Sequence, residues 1–514
     1  MSTGPAPGSS LNAARRAREL DRLAQNPNVD LLVVGGGVTG AGIALDAAAR
    51  GLSVVLAEKH DLAFGTSRWS SKLVHGGLRY LATGQLGIAR ESARERHILL
   101  SRTAPHLVRP LPMLLPLHAG VSRAQAAATR TGLLMGDVLR LSAGTPGSLL
   151  PASRGVSRRR ALHLAPGLRP DGLRGGQLSF DGQLVDDARL VVGLARTAAA
   201  HGASVLTRCG AEELHGDRAV LRDGLTGAAL DVRPRATVNA TGVWARELAP
   251  EVRLRPSRGT HLVLAQSRLG GLRAALTIPV PGDPTRFALV LPQQDGRAYV
   301  GITDEPLDGP APDVPPVPEH DVDFLLEVLG GVLASPPGRG DVAGAFAGLR
   351  PLLDAEKGRS ADLSRRHAVL ASREGVLTAV GGKLTTYRSM AEEAVDAAVE
   401  RAGLRAGPCR TRRLPLVGAA RPALLRGVDA PARLRARYGT EAPSVAAEAD
   451  GRPGLLAPIA AGVTAAELRW AVRHEGALDE ADLVERRTRA SLVREDAERL
   501  KEAAGDALST AERA

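Results

Sequence analysis

The sequence predicts an α/β protein that opens with a Rossmann-type nucleotide-binding domain and closes with a helical domain. Three observations lead there. Asp30 to Glu58 reads as strand, glycine turn, helix, strand and acid. Further apolar strand candidates recur between helices as far as Val380. Beyond a composition change at Ala406 to Pro415, the pattern turns to short charged helices such as Ala465 to Glu475 and Asp479 to Arg489. Strand and helix are told apart by apolar periods of two and 3.6 residues.

Taken in order, the chain begins with Gly, Pro and Ser, an Arg-rich run from Ala13 to Arg18, and Glu19 to Gln25. One helix could form there, but nothing in the pattern ties it to a core, so residues 1–28 are expected as a flexible tail. The strand Asp30 to Val34, the helix Val38 to Arg50 and the strand Leu52 to Ala57 then make a βαβ unit. Later strands are expected at 203–206, 236–239, 261–264, 287–291, 298–302 and 376–380, with helices at 87–101, 186–201 and 390–402. Asp304 to Pro318 holds six prolines and reads as a surface loop inside a domain. The expected division is therefore a tail 1–28, an α/β domain 29–405 and a helical domain 406–514.

A chain of 514 residues, 44% of them hydrophobic, can bury a sizeable core in two or three domains. Aromatic residues make up 2%, too few to build base-stacking platforms for nucleic acid. The net charge of +12 is carried almost entirely by arginine, since only Lys59, Lys72, Lys357, Lys383 and Lys501 are lysines. Such a surface suits anionic lipid or phosphorylated substrates; a nucleic-acid-binding protein with a vestigial cofactor fold is the distant alternative. Cys209 and Cys409 show no paired spacing, so neither a disulfide framework nor a metal site is indicated, and a reducing cytoplasm is expected. With no signal-peptide pattern and no spanning apolar run, any membrane contact is expected to be peripheral.

Gly35, Gly37 and Gly40 form G-x-G-x-x-G at the junction of strand and helix. The first allows the tight turn, the second lets the backbone approach a pyrophosphate, and the third lets the helix pack on the sheet. The helix N-terminus offers N–H groups and partial positive charge to the phosphates. Glu58, eighteen residues beyond Gly40, stands where a carboxylate accepts ribose hydroxyls. Two later segments return to the same place. VNATG, from Val238 to Gly242, runs a strand into a turn of small residues; VGGKLTTYRSM, from Val380 to Met390, runs a strand through two glycines into a helix. Three distant contacts suit an extended, permanently bound FAD better than an exchanging NAD.

With these stretches in view, the chain resembles the FAD-dependent glycerol-3-phosphate dehydrogenases of the respiratory type. The resemblance rests on VVGGGVTGAGIALDAAARGLSVVLAEKHDLAFGTS, SSKLVHGGLRYL, DDARLV, VNATGVW, GTHLVL, GITDEP, GLRPLL and GGKLTTYRSMAEEAV, with ELRWAVRHEGALDEADLVERRTR near the end. It implies a Rossmann-type FAD-binding domain, an antiparallel-sheet substrate domain covering one flavin face and a C-terminal helical domain. It also implies oxidation of sn-glycerol 3-phosphate to dihydroxyacetone phosphate, hydride to flavin N5 and electrons to membrane quinone. An oxidase using oxygen on the same substrate is the alternative, and the sequence leaves a homodimer and the covalent state of FAD open. By resemblance Arg79, Tyr80, His261, Arg350, Lys383 and Thr385 line the substrate pocket. Gly36, Thr66, Ser67, Ser71, Lys72, His75, Gly76, Gly77, Ala240, Thr241, Gly242, Gly382, Lys383 and Leu384 join the fingerprint glycines and Glu58 around the cofactor. The departures are Arg68 and Trp69, which interrupt a small-residue run, and the Ala- and Gly-rich stretch after Tyr80.

Arg79 and Arg350 are expected to read phosphate, because a guanidinium presents a planar fork that an ammonium lacks. A typical arginine is a solvated surface group, so position inside HGGLR and GLRP is what singles these two out. Lys383 is expected to hold a substrate oxygen or stabilise negative charge on reduced flavin. His261 is the first candidate for the base that takes the hydroxyl proton, with His75 the alternative. Thr385 and Tyr80 are expected to position substrate by hydrogen bonds.

Overall fold

The computed structural model of the protein describes residues 4–82, 84–118, 120–280, 283–354 and 367–512. Helix α1, Ala13–Gln25, starts at Asn12, whose side chain accepts the Arg15 N–H at 2.9 Å. Its Arg16, Glu19 and Leu23 are buried on one face. Arg16 Nε donates to the Thr207 carbonyl at 2.7 Å and its guanidinium pairs with Asp223; Glu19 accepts the Val205 N–H at 3.0 Å. The N–H of Leu11 donates to the carbonyl of His474. A free tail was the expectation for residues 1–28; over residues 11–25 the chain is instead docked. The partners lie some two hundred residues or more along the chain, where a local pattern carries no trace of them.

Strand β1, Asn28–Val34, helix α2, Val38–Ala49, and strand β2, Val54–Ala57, form the expected βαβ unit. β1 is central and pairs in parallel with β2 on one side and with the strand Ala229–Asn239 on the other. Ser204–Leu206 extends the sheet past β2, and Leu377–Gly381 extends it past Ala229–Asn239. Leu31, Val33, Ile43, Ala44 and Leu56 are fully buried, because a parallel sheet is covered on both faces and its strands read as unbroken apolar runs. Helices Asp187–Ala200 and Tyr387–Ala402 pack against α2. The six strand and three helix expectations all fall on observed elements, several of them longer than expected.

A second sheet of ten strands stands beside the first. It is antiparallel except where Val108–Pro116 meets Ala275–Val280 in parallel. Its long strands Val108–Pro116, Gly175–Leu184 and Val342–Arg350 were not anticipated; prolines and glycines break their alternation, as in GGQLSFDGQL. The proline-rich stretch 304–318 is irregular apart from the two-residue strand Glu305–Pro306.

Beyond residue 421 the structure is helical, from Pro422–Arg426 to Arg494–Glu512. Buried ion pairs dock this part on the rest. Asp61 accepts from Arg486 Nε at 2.7 Å and from Arg487 at 2.7 and 2.8 Å; Arg196 pairs with Glu441, and Arg189 with Glu475. Arg68, Arg196 and Arg487 are among the largest fully buried side chains, so the solvated-surface reading fails for a substantial part of the arginine content. Each is buried because a carboxylate from another segment meets it.

Candidate functional site

The glycine turn is built by close approach. Gly35 has φ +111°, and a Cβ there would lie 2.6 Å from the Ala240 carbonyl oxygen. A Cβ on Gly40 would lie 1.8 Å from the Gly35 carbonyl oxygen, so only glycine lets α2 start this close to β1. Gly37 is the N-cap of α2 and brings no capping side chain; the N–H of Val38 donates instead to Ser67 Oγ at 2.9 Å. That leaves a helix N-terminus bordered by a hydroxyl, which suits a pyrophosphate. Glu58 closes the turn, accepting from the N–H groups of Gly36 at 2.5 Å and His60 at 2.8 Å. Burial raises its carboxyl above the ordinary value.

The three segments read as one cofactor site meet at the C-terminal ends of parallel strands, where open α/β sheets bind ligands. Ala240 donates its N–H to Val34 at 2.8 Å, which sets Ala240, Thr241 and Gly242 beside Gly35. Asn239 Oδ1 accepts from Thr241 N–H and Oγ1, and Asn239 Nδ2 donates to Ala245, so the turn is braced by a residue sequence reading missed. Gly382, Lys383 and Leu384 leave the strand Leu377–Gly381 for the helix Tyr387–Ala402. Thr66 Oγ1 donates to the Leu349 carbonyl at 2.7 Å and ties this region to the second sheet. Glycine backbone, helix end, acid and hydroxyls fit an extended dinucleotide.

On the second-sheet side, His75 is half exposed, and its backbone N–H donates to Thr385 Oγ1 at 3.0 Å. Its Nδ1 meets Asp181 Oδ2 at 3.3 Å. Asp181 also accepts the Gly76 N–H at 3.0 Å and Arg96 Nη1 at 2.6 Å. Burial alone would raise the Asp181 carboxyl, but Arg96 and His75 outweigh it and hold it below the usual range. A Cβ on Gly76 would lie 2.1 Å from Arg96 Nη1, so the HGG pair leaves room for that arginine; Gly77 follows at φ +87°. Asp181 and Arg96 were absent from the sequence candidates, and no local signal marks them.

Lys383 Nζ sits 4.4 Å from the ring centre of Tyr80, which is buried beside Thr385's segment. Arg350 ends the strand Val342–Arg350 and donates to Ser257 Oγ, Asp304 Oδ1 and the Thr303 carbonyl, each at 3.0 Å. A Cβ on Gly259 would lie 2.3 Å from Arg350 Nη2, so GTH opens space for the guanidinium. Arg79 belongs to the helix Leu78–Ala82, but its side chain lies outside the described residues.

Two expected site residues face inward. His261 is 1% exposed, stacks on Phe346 at 4.8 Å and meets Ser71 Oγ with Nε2 at 2.8 Å, while Nδ1 has no partner among the described residues. Burial, helped by the charges of Lys72 and Arg350, pushes its pKa down to about 3, far from the near-neutral value expected of a base. Lys72 is buried at φ +56° with Nζ held by Asp187 at 3.1 Å and by the carbonyls of Ser70 and Arg68. Its ammonium is thereby committed to the interior. Asp187, the second acid of DDARLV, also accepts Ser70 Oγ and N–H, and so shapes the turn that carries Ser71. Among the described residues no cluster of three metal-ligating side chains exists.

Residues 30–388 match the family described as FAD dependent oxidoreductase, and residues 409–511 match the C-terminal domain of alpha-glycerophosphate oxidase. The chain is 53% identical over 511 residues to glycerol-3-phosphate dehydrogenase 1 of Mycobacterium tuberculosis, covering 98% of this chain and 99% of that one. The glycerol-3-phosphate dehydrogenase from Bacillus halodurans, solved with FAD, superposes with a TM-score of 0.75 at 28% identity over 97% of this chain and 94% of that one. The L-alpha-glycerophosphate oxidase from Mycoplasma pneumoniae shares the fold, with a TM-score of 0.58 at 17% identity over 76% of this chain and 99% of that one.

Proposed function

The chain belongs to the FAD-dependent glycerol-3-phosphate dehydrogenases, and on that footing we propose that it oxidises sn-glycerol 3-phosphate to dihydroxyacetone phosphate and passes the electrons to a membrane quinone. The observation that supports this reading is the oriented His75–Asp181 pair, with the His75 N–H on Thr385 of the GGKLTT segment, in a chain whose glycine turn fits a dinucleotide. The Gly35–Gly40 turn and Glu58 would hold FAD, which would supply a two-electron acceptor for the C2 hydride.

The chain's own residues handle the phosphate and the proton. Arg350, aimed by Ser257, Asp304 and Thr303, reads the substrate phosphate, a role the family resemblance extends to Arg79. Lys383 and Tyr80 hold the reacting oxygen and steady negative charge as it develops. His75 takes the C2 hydroxyl proton at Nε2, because Asp181 engages Nδ1 and turns the other nitrogen outward, the base-and-orienter arrangement that general-base catalysis uses. His261 remains the second candidate; at a pKa pushed down to about 3 it is neutral but weakly basic, and its role here is to pack on Phe346 and hold Ser71.

The reading predicts that anaerobic mixing of the FAD-loaded protein with glycerol 3-phosphate bleaches the flavin bands, and that a water-soluble quinone restores them faster than air does. Flavin that stays oxidised removes the substrate; faster recovery in air removes the quinone.

A further inference from the structure

The helix Arg123–Ser142 is twenty residues long, about 30 Å, and begins with a capping box between Ser122 and Gln125. Its outward face runs through Ala124, Ala127, Thr131, Leu134, Val138 and Leu141 at helical spacing, and not one of these is charged. Leu134 is 47% exposed, Met135 45%, Val138 65% and Leu141 61%. Past the first turn the charged side chains point the other way. Asp137 accepts Ser153 Oγ and N–H, Arg130 donates to the same Ser153 hydroxyl, and Arg140 is buried. A surface helix of a soluble protein has the opposite polarity, with the apolar stripe turned to the core. Four exposed large apolar residues on one helix form a patch that calls for a partner.

The charge around this face says which partner. Between Glu95 and Asp171 the single acidic residue is Asp137, against eleven arginines. The strand Arg154–Ser157 follows directly on Ser153, and Arg154, Arg158, Arg159 and Arg160 are exposed there. The neighbouring helix Leu86–Ile98 exposes Leu86 and Arg90. A two-fold contact with a second copy would bring arginines against arginines, which is unfavourable. An anionic lipid surface accepts both parts, with the apolar side chains entering the headgroup boundary and the arginines meeting lipid phosphate. No helix among the described residues is long and apolar enough to cross a membrane, so the contact lies along the surface.

We propose that the outward face of Arg123–Ser142, flanked by Arg154 and Arg158 to Arg160, is the surface by which this protein docks on an anionic lipid bilayer. The proposal rests on the membrane-acceptor reading above and adds the face that makes the contact. The same helix packs on Leu78–Ala82, the helix of Arg79 and Tyr80; a Cβ on Gly136 would lie 2.3 Å from Leu78 Cδ2. Docking there sets the proposed site one helix away from the lipid.

The test is flotation of the full-length, FAD-loaded protein with vesicles of phosphatidylcholine plus phosphatidylglycerol, and with phosphatidylcholine alone. The unaltered protein is expected to float with the anionic vesicles and to bind less as salt is raised. The double substitution Leu134→Glu/Val138→Glu should lower partitioning on the order of a hundredfold, since each apolar side chain loses its burial. The milder Leu134→Ser/Val138→Ser should lower it in the same direction. Flavin content and bleaching by glycerol 3-phosphate should be unchanged in both. Altered proteins that float like the original overturn the proposal and leave the membrane reading standing. An unaltered protein that never floats removes both. A dimer that either substitution turns into monomer, with flotation intact, assigns the face to a second copy and overturns the proposal.

Discussion

Asp181 Oδ2 stands 3.3 Å from His75 Nδ1, while its partner oxygen takes Arg96 Nη1 at 2.6 Å. One buried carboxylate thus fixes a half-exposed imidazole and is itself kept charged by an arginine. His261, in contrast, is enclosed by Phe346, Gly301 and Ser71. The competition between these two histidines for the role of base sets the first prediction.

His75→Ala is expected to slow single-turnover flavin reduction by roughly two to four powers of ten with FAD retained. His261→Ala should slow it far less. Stopped-flow bleaching of both variants decides the matter, and a collapse confined to His261→Ala would return the base to His261.

Gly37→Val should give a folded protein without flavin. Among the described residues a Cβ at Gly37 meets only Ser67 Oγ, at 3.2 Å, so the chain tolerates it, whereas a branched side chain fills the approach to the pyrophosphate. Gly40→Ala should fail to fold, because its Cβ collides with backbone at 1.8 Å. Circular dichroism with flavin absorbance separates the two outcomes; full flavin in Gly37→Val would misplace the cofactor site.

Arg350→Lys removes the fork that Ser257 and Asp304 aim. Its KM for glycerol 3-phosphate should rise roughly ten- to a hundredfold, the worth of a charged hydrogen bond. For unphosphorylated glycerol it should change little. Equal losses on both substrates would mean that Arg350 does not read phosphate.

Glu475 is fully buried and pairs with Arg189 through both oxygens, while Trp470 Nε1 donates to it at 2.9 Å. Burial would raise its carboxyl, but Arg189 outweighs burial and holds it at about 2. A carboxyl depressed in the folded state stabilises the protein above its unfolded value near 4.5, and that contribution is lost as pH falls through about 2. Glu475→Gln should therefore lower stability by about 3 kcal/mol at pH 7, with the gap narrowing below pH 4. Denaturant unfolding across pH measures it; a gap that does not change with pH would assign the loss to packing.

The βαβ unit from Asp30 to Glu58 was legible because everything that specifies it is local: an apolar period, three glycines and a terminal acid within thirty residues. Motif order along the chain likewise picked out three segments that the sheet brings to one edge, since strand ends in a parallel sheet meet there wherever the loops lead. The docking of α1 and the burial of arginines were decided only by tertiary structure, as were the pairing of His75 with Asp181 and the enclosure of His261. Asp61 and Arg486 are 425 positions apart, and His75 and Asp181 are 106 apart. Whether a charged or titratable side chain is solvated, paired or orienting another depends on which distant segment packs against it. Periodicity and spacing encode contacts within a few residues; electrostatic partners are assigned when the chain closes on itself.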